Sequence, residues 1–323
     1  MRDGNDKGIV LVMVMWVLTV LMVVILSFST MAKTETTATL SYRDGVQIKF
    51  MAEAGIERGI MELLYRKSRG ATTGAESLPE EEQVLKVDGT YYSFPAKGGL
   101  LKIRLISEAG KVDINAAPEM MLKNLIANLG VKDKELDIIV DSIMDWKDAD
   151  NFHRLNGAED DYYQSLPNPY KAKNANFDTL GELLLVRGVT PDLLYGSGGK
   201  KGLIDFITVY SGSATVNINA APREVIMAVP GMDDGIADAI LSYRQAHEIK
   251  SIEEVRTMVG DQYAFMSPYM STGEGATYTV EAEGGKGEKG LAYAVKAVVQ
   301  LDGDKYRFLY YKNPERLRQW HVQ

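Results

Sequence analysis

The 323-residue sequence contains no cysteine, only three histidines and no excess of positive charge. Without cysteine the chain has no disulfide, no zinc–thiolate site and no cysteine nucleophile. Its 36 Lys and Arg residues against 44 Asp and Glu residues give a net charge of −8. That balance argues against a dedicated nucleic-acid-binding protein, which clusters cations against phosphates. The composition, 46% hydrophobic and 25% charged, is that of a globular protein long enough for two domains.

Charge is missing altogether from residues 9–32. As a helix this stretch would span about 36 Å, enough to cross a hydrocarbon core of roughly 30 Å. A secretory signal peptide has its small-residue cleavage site after the apolar run, whereas here the small residue, Gly8, precedes it. The apolar run is therefore predicted to remain in the mature protein. A plain N-terminal anchor is the alternative interpretation.

Helical periodicity continues beyond the apolar run, because residues 34–67 contain no proline and repeat apolar positions every three or four residues. This apolar stripe consists of Ile48, Ala52, Gly55, Ile56, Gly59, Ile60 and Leu63. We predict one helix over residues 9–68, with 9–32 in the membrane and the amphipathic second half packed on a sheet. Gly45, Gly55 and Gly59 are predicted to weaken or bend it.

Strand patterns occur near both ends of the chain. Residues 84–87 and 90–94 are predicted to form a hairpin around Asp88-Gly89, followed by a strand over 100–106. Further strands are predicted over 277–282, 292–301 and 306–311, with a loop over 283–290. The fold class is therefore α+β. A sheet domain is built from residues 69–111 and 271–323, and residues 112–270 form a helical insert.

The insert contains an internal repeat. The segment Val-Asp-Ile-Asn-Ala-Ala-Pro at 112–118 returns as Val-Asn-Ile-Asn-Ala-Ala-Pro at 216–222, and each copy is a good helix start. We assign repeat one to residues 112–202 and repeat two to 203–270. The second copy continues into a turn that resembles the helix-hairpin-helix module of DNA-binding proteins. Asp233 and Asp234 occupy the phosphate-binding end of that turn. We therefore expect the module to keep its helix packing and to have lost its phosphate ligand.

Seven acidic residues crowd into 21 positions of repeat one: Asp141, Asp145, Asp148, Asp150, Glu159, Asp160 and Asp161. Like charges at helical spacing are unfavourable without a cation. The spacing is not that of an EF-hand, because Phe152 and His153 stand where that loop needs Asp or Asn and then Gly. Oxygen ligands without Cys or His favour Ca²⁺ over zinc or copper. A solvated acidic surface is the alternative.

Several of these features together resemble the type II secretion minor pseudopilin K family. The most specific are the acidic stretch at 145–150 (DWKDAD) and the segment at 156–160 (NGAED). Tyr163, Asn174 and the segment at 177–183 (FDTLGEL) extend the match, and the duplicated Ile-Asn-Ala-Ala-Pro element adds to it. The resemblance covers nearly the whole chain.

The resemblance implies a pilin-like fold and a non-enzymatic subunit at the tip of the type II secretion pseudopilus. It implies help in starting filament assembly and in exporting folded proteins across the outer membrane. Implied partners are minor pseudopilins of types I and J, the major pseudopilin, the inner-membrane assembly platform and the prepilin peptidase. Implied localisation is the bacterial inner membrane, crossed once, with the bulk of the chain in the periplasm.

The resemblance also implies specific residues. Residues 1–8 would be a leader, cleaved between Gly8 and Ile9, and the new N-terminus would be methylated. The insert would bind structural Ca²⁺; we predict Asp148, Asp150 and Glu159 as ligands, with Asp145 and Asp160 as further candidates. The two insert repeats would be SAM-like, and the apolar stripe would join other minor pseudopilins.

Two other function classes remain open at this point. A membrane-anchored DNA-binding or DNA-uptake protein would share the anchor and the hairpin module, although Asp233 and Asp234 oppose it. A membrane-tethered hydrolase would use the acidic cluster, but the sequence has no accompanying nucleophile or oxyanion motif. No catalytic residue and no organic cofactor are predicted.

Overall fold

A computed structural model describes residues 5–70, 85–286 and 291–315. Four of the predicted leader residues, 1–4, lie outside the described residues, as do Val84 of the predicted hairpin and 287–290 of the predicted loop.

The nine strands are β1 (Asp88–Ala96), β2 (Gly99–Ser107), β3 (Val112–Asp113), β4 (Ile207–Thr208), β5 (Val216–Asn217), β6 (Met270–Ser271), β7 (Thr277–Gly285), β8 (Ala292–Asp302) and β9 (Lys305–Lys312). The nine α-helices are α1 (Asn5–Gly70), α2 (Glu119–Asn128), α3 (Asp133–Lys147), α4 (Asp160–Gln164), α5 (Pro191–Tyr195), α6 (Arg223–Ile226), α7 (Asp234–Ala246), α8 (Arg256–Val259) and α9 (Tyr263–Met266). The 3₁₀ segments are Glu108–Gly110, Leu180–Leu185, Leu203–Asp205, Ile252–Val255, Gly260–Gln262 and Ser267–Tyr269. Both sets are those of the described residues.

Helix α1 is one uninterrupted helix of 66 residues, about 100 Å long at 1.5 Å per residue. It starts before the predicted residue 9 and ends two residues after the predicted residue 68. Residues 8–43 are exposed along their whole length, and burial begins only beyond them. The helix therefore has an uncovered apolar half and a half that packs on the protein.

The packed half of α1 lies over the three central strands, β2, β7 and β8. Its apolar stripe is buried there, with Ile48, Ile56 and Ile60 each 1% exposed. The stripe thus covers this chain's own sheet, and the expectation that it joins other subunits is wrong. The surface that a partner could reach lies elsewhere on α1.

Two glycines set the closeness of this packing. A Cβ added at Gly55 would lie 2.7 Å from the Cβ of Ala282, and one added at Gly59 would lie 2.5 Å from the Cγ1 of Val280. Both distances are shorter than any ordinary contact between carbon atoms. The sequence predicted only a weakening or bending of the helix; the structure shows that these two glycines also let the sheet approach its backbone.

The five long strands form one antiparallel sheet in the order β1-β2-β7-β8-β9. Both ends of the chain contribute to it, as predicted. The predicted hairpin around Asp88-Gly89 is wrong, because Asp88 begins β1 and the turn is Lys97-Gly98. Gly98 has a φ of +85°, which this turn requires. The composition of Asp88-Gly89 misled the prediction, and Pro95 lies within β1, an edge strand that tolerates proline.

The predicted loop over 283–290 is also partly wrong, because β7 continues to Gly285. Glu283, Gly284 and Gly285 pair with Ala294, Tyr293 and Ala292 of β8.

The insert forms a second hydrophobic core from residues between Val112 and Met270. Its two repeats each close with a short parallel strand pair, β3 with β4 and β5 with β6. Repeat one was predicted to end at residue 202, but its closing strand lies at 207–208. The boundary was misplaced because a two-residue strand has no periodicity to read.

The insert is attached at the end of α1 that lies farthest from the apolar half. Arg66 near that end pairs with Glu274 at 2.8 Å. The buried carboxylate of Glu108, next to β2, accepts hydrogen bonds from Lys111 at 2.6 Å and from Thr279 of β7 at 2.7 Å. Burial would raise the pKa of Glu108, but the Lys111 charge and these bonds outweigh it and lower the pKa.

Candidate metal centre

In each repeat an asparagine side chain binds the backbone of a later segment of the same repeat. Asn115 in repeat one donates to the carbonyl of Phe177 at 3.0 Å and accepts from its N–H at 2.8 Å. Asn219 in repeat two does the same with Ile249, at 2.8 and 3.0 Å. In both repeats, the side-chain amide makes the two backbone hydrogen bonds that a neighbouring strand would otherwise make with one residue of a later segment.

A basic side chain near the end of the second helix of each repeat adds further hydrogen bonds to the same region. We call the asparagine and this basic residue together the frame of the repeat. Lys147 at the end of α3 donates to the carbonyls of Ile114 and Asn115, at 2.9 and 3.3 Å. Arg244 near the end of α7 donates to the carbonyls of Ile218 and Ala221, both at 2.6 Å. Burial lowers the pKa of both cations.

The repeats differ in the length of chain between the end of the second helix and the residue that the asparagine binds. Residues 247–248 are all that connects α7 to Ile249, whereas residues 148–176 connect α3 to Phe177. Most of the predicted acidic cluster lies in this longer connection, which we call the acidic loop (residues 148–176). It packs on α3 through Tyr163, whose ring meets that of Trp146 edge to face at 5.2 Å.

The acidic loop and α3 bring three carboxylates together. Asp145, Asp148 and Glu159 each offer one oxygen, and the three oxygens lie within 4.8 Å of one another. Asp145 is fully buried and Glu159 is 1% exposed. Both oxygens of Glu159 and the Oδ1 of Asp148 are buried without a hydrogen-bond partner. Unpartnered buried carboxylate oxygens are costly unless something else binds them.

The charges of these groups oppose one another. Burial, followed by the charges of Asp145, Asp148, Asp150 and Asp160, raises the pKa of Glu159 to about 7. Burial also raises the pKa of Asp145 to about 6, with the charge of Asp148 adding to the effect. Burial and the charge of Asp150 raise the pKa of Asp148. A divalent cation among these oxygens would favour their charged forms against both burial and mutual repulsion.

The backbone of the acidic loop is shaped by carboxylates of the same region. Asp145 accepts from the N–H of Arg154 at 3.1 Å, Asp150 from that of Phe152 at 2.9 Å, and Asp141 from that of Asn156 at 3.0 Å. A Cβ added at Gly157 would overlap the Oδ2 of Asp145. The loop therefore passes directly over the buried carboxylate, where only glycine fits.

Of the five predicted ligands, the structure groups Asp145, Asp148 and Glu159. Asp150 is exposed, and Asp160, at the start of α4, accepts from the N–H of Ala172 at 2.9 Å, so neither belongs to the group of three. Asp145, only a further candidate in the sequence, is its most buried member. Asp161, which was left out of the ligand set, is exposed.

Sequence reasoning did not single out one further buried oxygen of the acidic loop. The Oδ1 of Asn174 is buried without a hydrogen-bond partner, while its amide nitrogen donates to the carbonyl of Asp150 at 2.8 Å and to the Oδ1 of Asn151 at 2.9 Å. Asn174 has a φ of +48°, which non-glycine residues rarely adopt. The family segment contained Asn174, but nothing in its spacing marked it as a donor.

These donors fit a hard divalent cation. The three grouped donors are carboxylate oxygens, which Ca²⁺ prefers, and no Cys or His stands among them. Asp145 lies on α3, whereas Asp148 and Glu159 lie on the acidic loop, so an ion bound by the group would join the two.

The turn that resembled a DNA-binding module has its anion position filled. The carboxylate of Asp233 accepts from the N–H of Ile236 at 2.8 Å and so caps α7. Asp234 and Asp238 pair with Arg223 at 2.6 and 3.2 Å. A phosphate would compete with these carboxylates for the same donors.

The apolar half of α1 contains a segment long and apolar enough to cross a membrane, with a mean hydropathy of 3.2. None of that segment is buried in the protein. Gly8 and Ile9, the predicted processing residues, lie in this exposed helix, and nothing of the described protein lies within 4 Å of a Cβ added at Gly8.

Two family models match the chain, both described as type II secretion system protein K. They cover residues 100–196 and 216–262. Among curated relatives, type II secretion system protein K of Pectobacterium carotovorum is 40% identical over 76 residues, 24% of this chain and 23% of the relative. The same protein of Pseudomonas aeruginosa is 28% identical over 167 residues, 49% of this chain and 48% of the relative. The chain thus spans about half or less of these relatives.

A solved structure shares the fold. It is that of the GspK-GspI-GspJ complex from the type 2 secretion system of enterotoxigenic Escherichia coli. The matched chain aligns with a TM-score of 0.61 and 15% identity over 87% of this chain and 100% of its own length. The likeness includes the long helix, the antiparallel sheet and the helical content. With the two family models and the curated relatives, these findings show that the chain belongs to the type II secretion system protein K family.

Proposed function

We propose that this chain is the minor pseudopilin at the tip of a type II secretion pseudopilus, where it helps start filament assembly and export folded proteins. The observation that carries the proposal is the placement of the insert. An uncovered apolar helix leads into a helix-on-sheet domain, and the insert is attached at the opposite end of that domain. An insert of this size at the upper end of the helix is compatible with a terminal subunit.

The first residues of the mature chain support the same position. Processing between Gly8 and Ile9 would make Met13 the fifth residue, where most pilin-like subunits carry a glutamate that pairs with a neighbour's N-terminus. A carboxylate unpaired in the bilayer would cost several kcal/mol. A subunit with nothing above it has no such partner. The role is structural and involves no turnover.

Processing is tested by mass spectrometry of the chain purified from membranes. We expect the mature N-terminus to be Ile9, methylated by the prepilin peptidase, and Gly8→Leu to leave the leader attached. A wild-type chain that keeps residues 1–8, or that begins beyond residue 32, would overturn the pseudopilin proposal.

Assembly is tested with the full chain and minor pseudopilins of types I and J from the same secretion system. Co-expressed in membranes and extracted in mild detergent, the three should purify as one complex. The chain would be anchored once in the inner membrane, with its bulk in the periplasm. Failure of the three to associate would contradict the proposal.

We further propose that Asp145, Asp148 and Glu159 hold a structural Ca²⁺. When bound, the ion would supply positive charge that cancels the repulsion among these carboxylates. Their own part is to fix the acidic loop to α3, and Asn174 is a candidate fourth donor. Asp150 and Asp160 would act from outside the group, through their charges and the backbone they hold.

Calorimetric titration of the chelated protein tests the site. We expect Ca²⁺ binding by the wild type and by Asp161→Asn, which removes an exposed acid beside the group. Glu159→Gln keeps the size of the side chain and should abolish binding. Equal binding by Glu159→Gln and the wild type would show that the ion lies elsewhere.

A further inference from the structure

The acidic loop contains the one Asn-Gly pair of the sequence, Asn156-Gly157. Asparagine is among the thermally labile residues, and it loses its side-chain amide most readily when glycine follows it. In that reaction the backbone nitrogen of the glycine attacks the side-chain carbonyl carbon of the asparagine, and glycine has no Cβ to obstruct the approach. Whether such a pair reacts in a folded protein depends on how these two groups are held.

The reaction needs water and no other reactant. The N–H of Gly157 would give its proton to water or hydroxide, and its nitrogen would form a bond to Cγ of Asn156. The bond from Cγ to the side-chain nitrogen would break, and that nitrogen would leave as ammonia with a proton taken from water. Water would then open the five-membered succinimide at either carbonyl. The product is an aspartate, or an isoaspartate whose backbone runs through the side-chain carbon.

The closed acidic loop holds both reacting groups apart. The side-chain nitrogen of Asn156 donates to the Oδ2 of Asp141 on α3 at 3.1 Å, and its backbone N–H donates to the same oxygen at 3.0 Å. Gly157 is buried, and its N–H donates to the carbonyl of Arg154 at 3.1 Å. The carbonyl of Gly157 accepts from Arg187 at 3.0 Å. A nitrogen that is buried and hydrogen-bonded is neither open to a base nor free to turn towards Cγ.

The same turn is joined to the candidate metal centre. Gly157 passes directly over the carboxylate of Asp145, and the N–H of Arg154 donates to that carboxylate at 3.1 Å. Glu159, two residues further along, belongs to the group of three carboxylates. An opening that frees the N–H of Gly157 therefore also moves the loop off Asp145 and separates Glu159 from the group.

We propose that Asn156 is a deamidation site that the bound ion protects, and that its deamidation prevents the acidic loop from closing again. The protection rests on the proposed Ca²⁺ site, whereas the reactivity of Asn156 in an open loop does not. A reaction that occurs only in the open loop is slowed to the extent that the ion depletes the open state. A hundredfold excess of Ca²⁺ over its dissociation constant should therefore slow deamidation about a hundredfold.

The products cannot make the contacts of the amide. An aspartate at position 156 has no hydrogen to donate to Asp141, and its negative charge would lie where the amide nitrogen now lies, 3.1 Å from a carboxylate oxygen. An isoaspartate lengthens the backbone by one atom next to Gly157, which must fit closely over Asp145. Both products therefore disfavour the closed loop. Because the lost ammonia is not replaced, a chain left long without the ion should lose its capacity to bind it.

The first test follows Asn156 in the full chain, purified in detergent and kept for days at mildly alkaline pH. Three samples contain Ca²⁺, chelator, or chelator with urea, and mass spectrometry of the tryptic peptide that begins at Leu155 measures aspartate and isoaspartate. Deamidation should be slowest in Ca²⁺, faster in chelator and fastest in urea. Equal rates in Ca²⁺ and chelator, in a wild type that calorimetry shows to bind Ca²⁺, would overturn this inference and leave the ion site standing. A wild type that binds no Ca²⁺ would overturn both.

The second test makes the product directly. Asn156→Asp should weaken Ca²⁺ binding in calorimetry about tenfold or more, because it removes a donor from Asp141 and adds a like charge. The matched control is Asn151→Asp, which adds the same charge at an exposed position of the same loop and keeps the oxygen that accepts from Asn174. The control should bind Ca²⁺ as the wild type does. Equal binding by Asn156→Asp and the wild type would show that the product still closes the loop, and would overturn the inference.

Discussion

The two repeats of the insert share a frame and differ in what the frame encloses. In repeat one, Asn115 binds the backbone of a residue 62 positions later; in repeat two, Asn219 binds one 30 positions later. Lys147 and Arg244 cap carbonyls at matching places. The extra chain in repeat one is the acidic loop, which carries the site. A repeat can thus carry an added loop while the hydrogen bonds made by its asparagine and its basic residue stay the same.

The comparison also separates two uses of charge. Repeat one buries Asp145 and Glu159, with the oxygens of Glu159 unpartnered. Repeat two keeps Asp234 and Asp238 at the surface, paired with Arg223. The second arrangement supplies its own cation, whereas the first has, among the described residues, only Arg154, 3.6 Å from Asp145, and we propose that it takes a further cation from solution.

Calcium removal should have the largest effect and should act on repeat one alone. An ion bound only to the folded state stabilises it by about 2.7 kcal/mol at a hundredfold excess over its dissociation constant. Chelation should therefore lower the melting temperature and speed hydrogen exchange in the acidic loop and α3, measured by mass spectrometry. Peptides of α7 should exchange equally with and without Ca²⁺, and Asp234→Asn should keep the full response. Equal melting temperatures in Ca²⁺ and chelator would leave the acidic loop as solvated surface.

Gly157→Ala should have the second-largest effect on stability. Its Cβ would overlap the carboxylate of Asp145, and overpacking of this kind costs about 1–3 kcal/mol. Denaturant unfolding in chelator measures the loss without the contribution of the ion.

Gly235→Ala in the first turn of α7 is the matched control. Gly235 is exposed in a helix, where alanine is better than glycine by up to about 1 kcal/mol. If both substitutions were neutral, the acidic loop would not pass as closely over Asp145 as the structure has it.

Asn115→Ala and Asn219→Ala test whether the shared frame has equal weight in the two repeats. Each removes a donor and an acceptor from a backbone segment, at an expected cost of about 1–2 kcal/mol. Asn128→Ala, at the exposed end of α2, should change little. Urea unfolding in chelator measures all three. A loss in only one repeat would show that the two frames are alike in geometry but not in energy.

Arg223→Gln should have the smallest effect. Arg223, Asp234 and Asp238 are all largely exposed, and surface ion pairs contribute about 0–1 kcal/mol, less in high salt. Thermal melts at low and high salt measure this. A loss above about 2 kcal/mol would place repeat two's surface charges among the main contributors to its stability and would remove the contrast with repeat one.

Much of the fold could be predicted because periodicity carries it. The stripe of α1 and the alternation in β2 and β8 report burial on one face, and the structure buries those faces. Turn positions were harder. Asp88-Gly89 has the composition of a hairpin turn, yet the strand begins there and the chain turns at Lys97-Gly98. The composition of a dipeptide shows which turns it can adopt, but strand pairing determines where the chain turns.

The candidate site was predicted as a region and not as an atomic arrangement. The density of carboxylates marked residues 141–161, but spacing alone did not show which carboxylates turn inward. Asp150 and Asp160 accept backbone hydrogen bonds, from Phe152 and Ala172. Asp145 turns inward because α3 buries that face and Gly157 makes room for it. These are tertiary contacts, which lie outside the local sequence.

The insert enters and leaves the sheet at neighbouring points, and this has a consequence for how the chain folds. Ser107 at the end of β2 pairs with Tyr278 near the start of β7, so all of residues 108–276 form one excursion from a single strand pair. Pairing strands so far apart in sequence is slow when the intervening chain is disordered. An insert that folds first brings the two strand ends together and shortens the effective loop. We expect pulse-labelling hydrogen exchange to find α3 and α7 protected before β2 and β7; protection in the reverse order would contradict this.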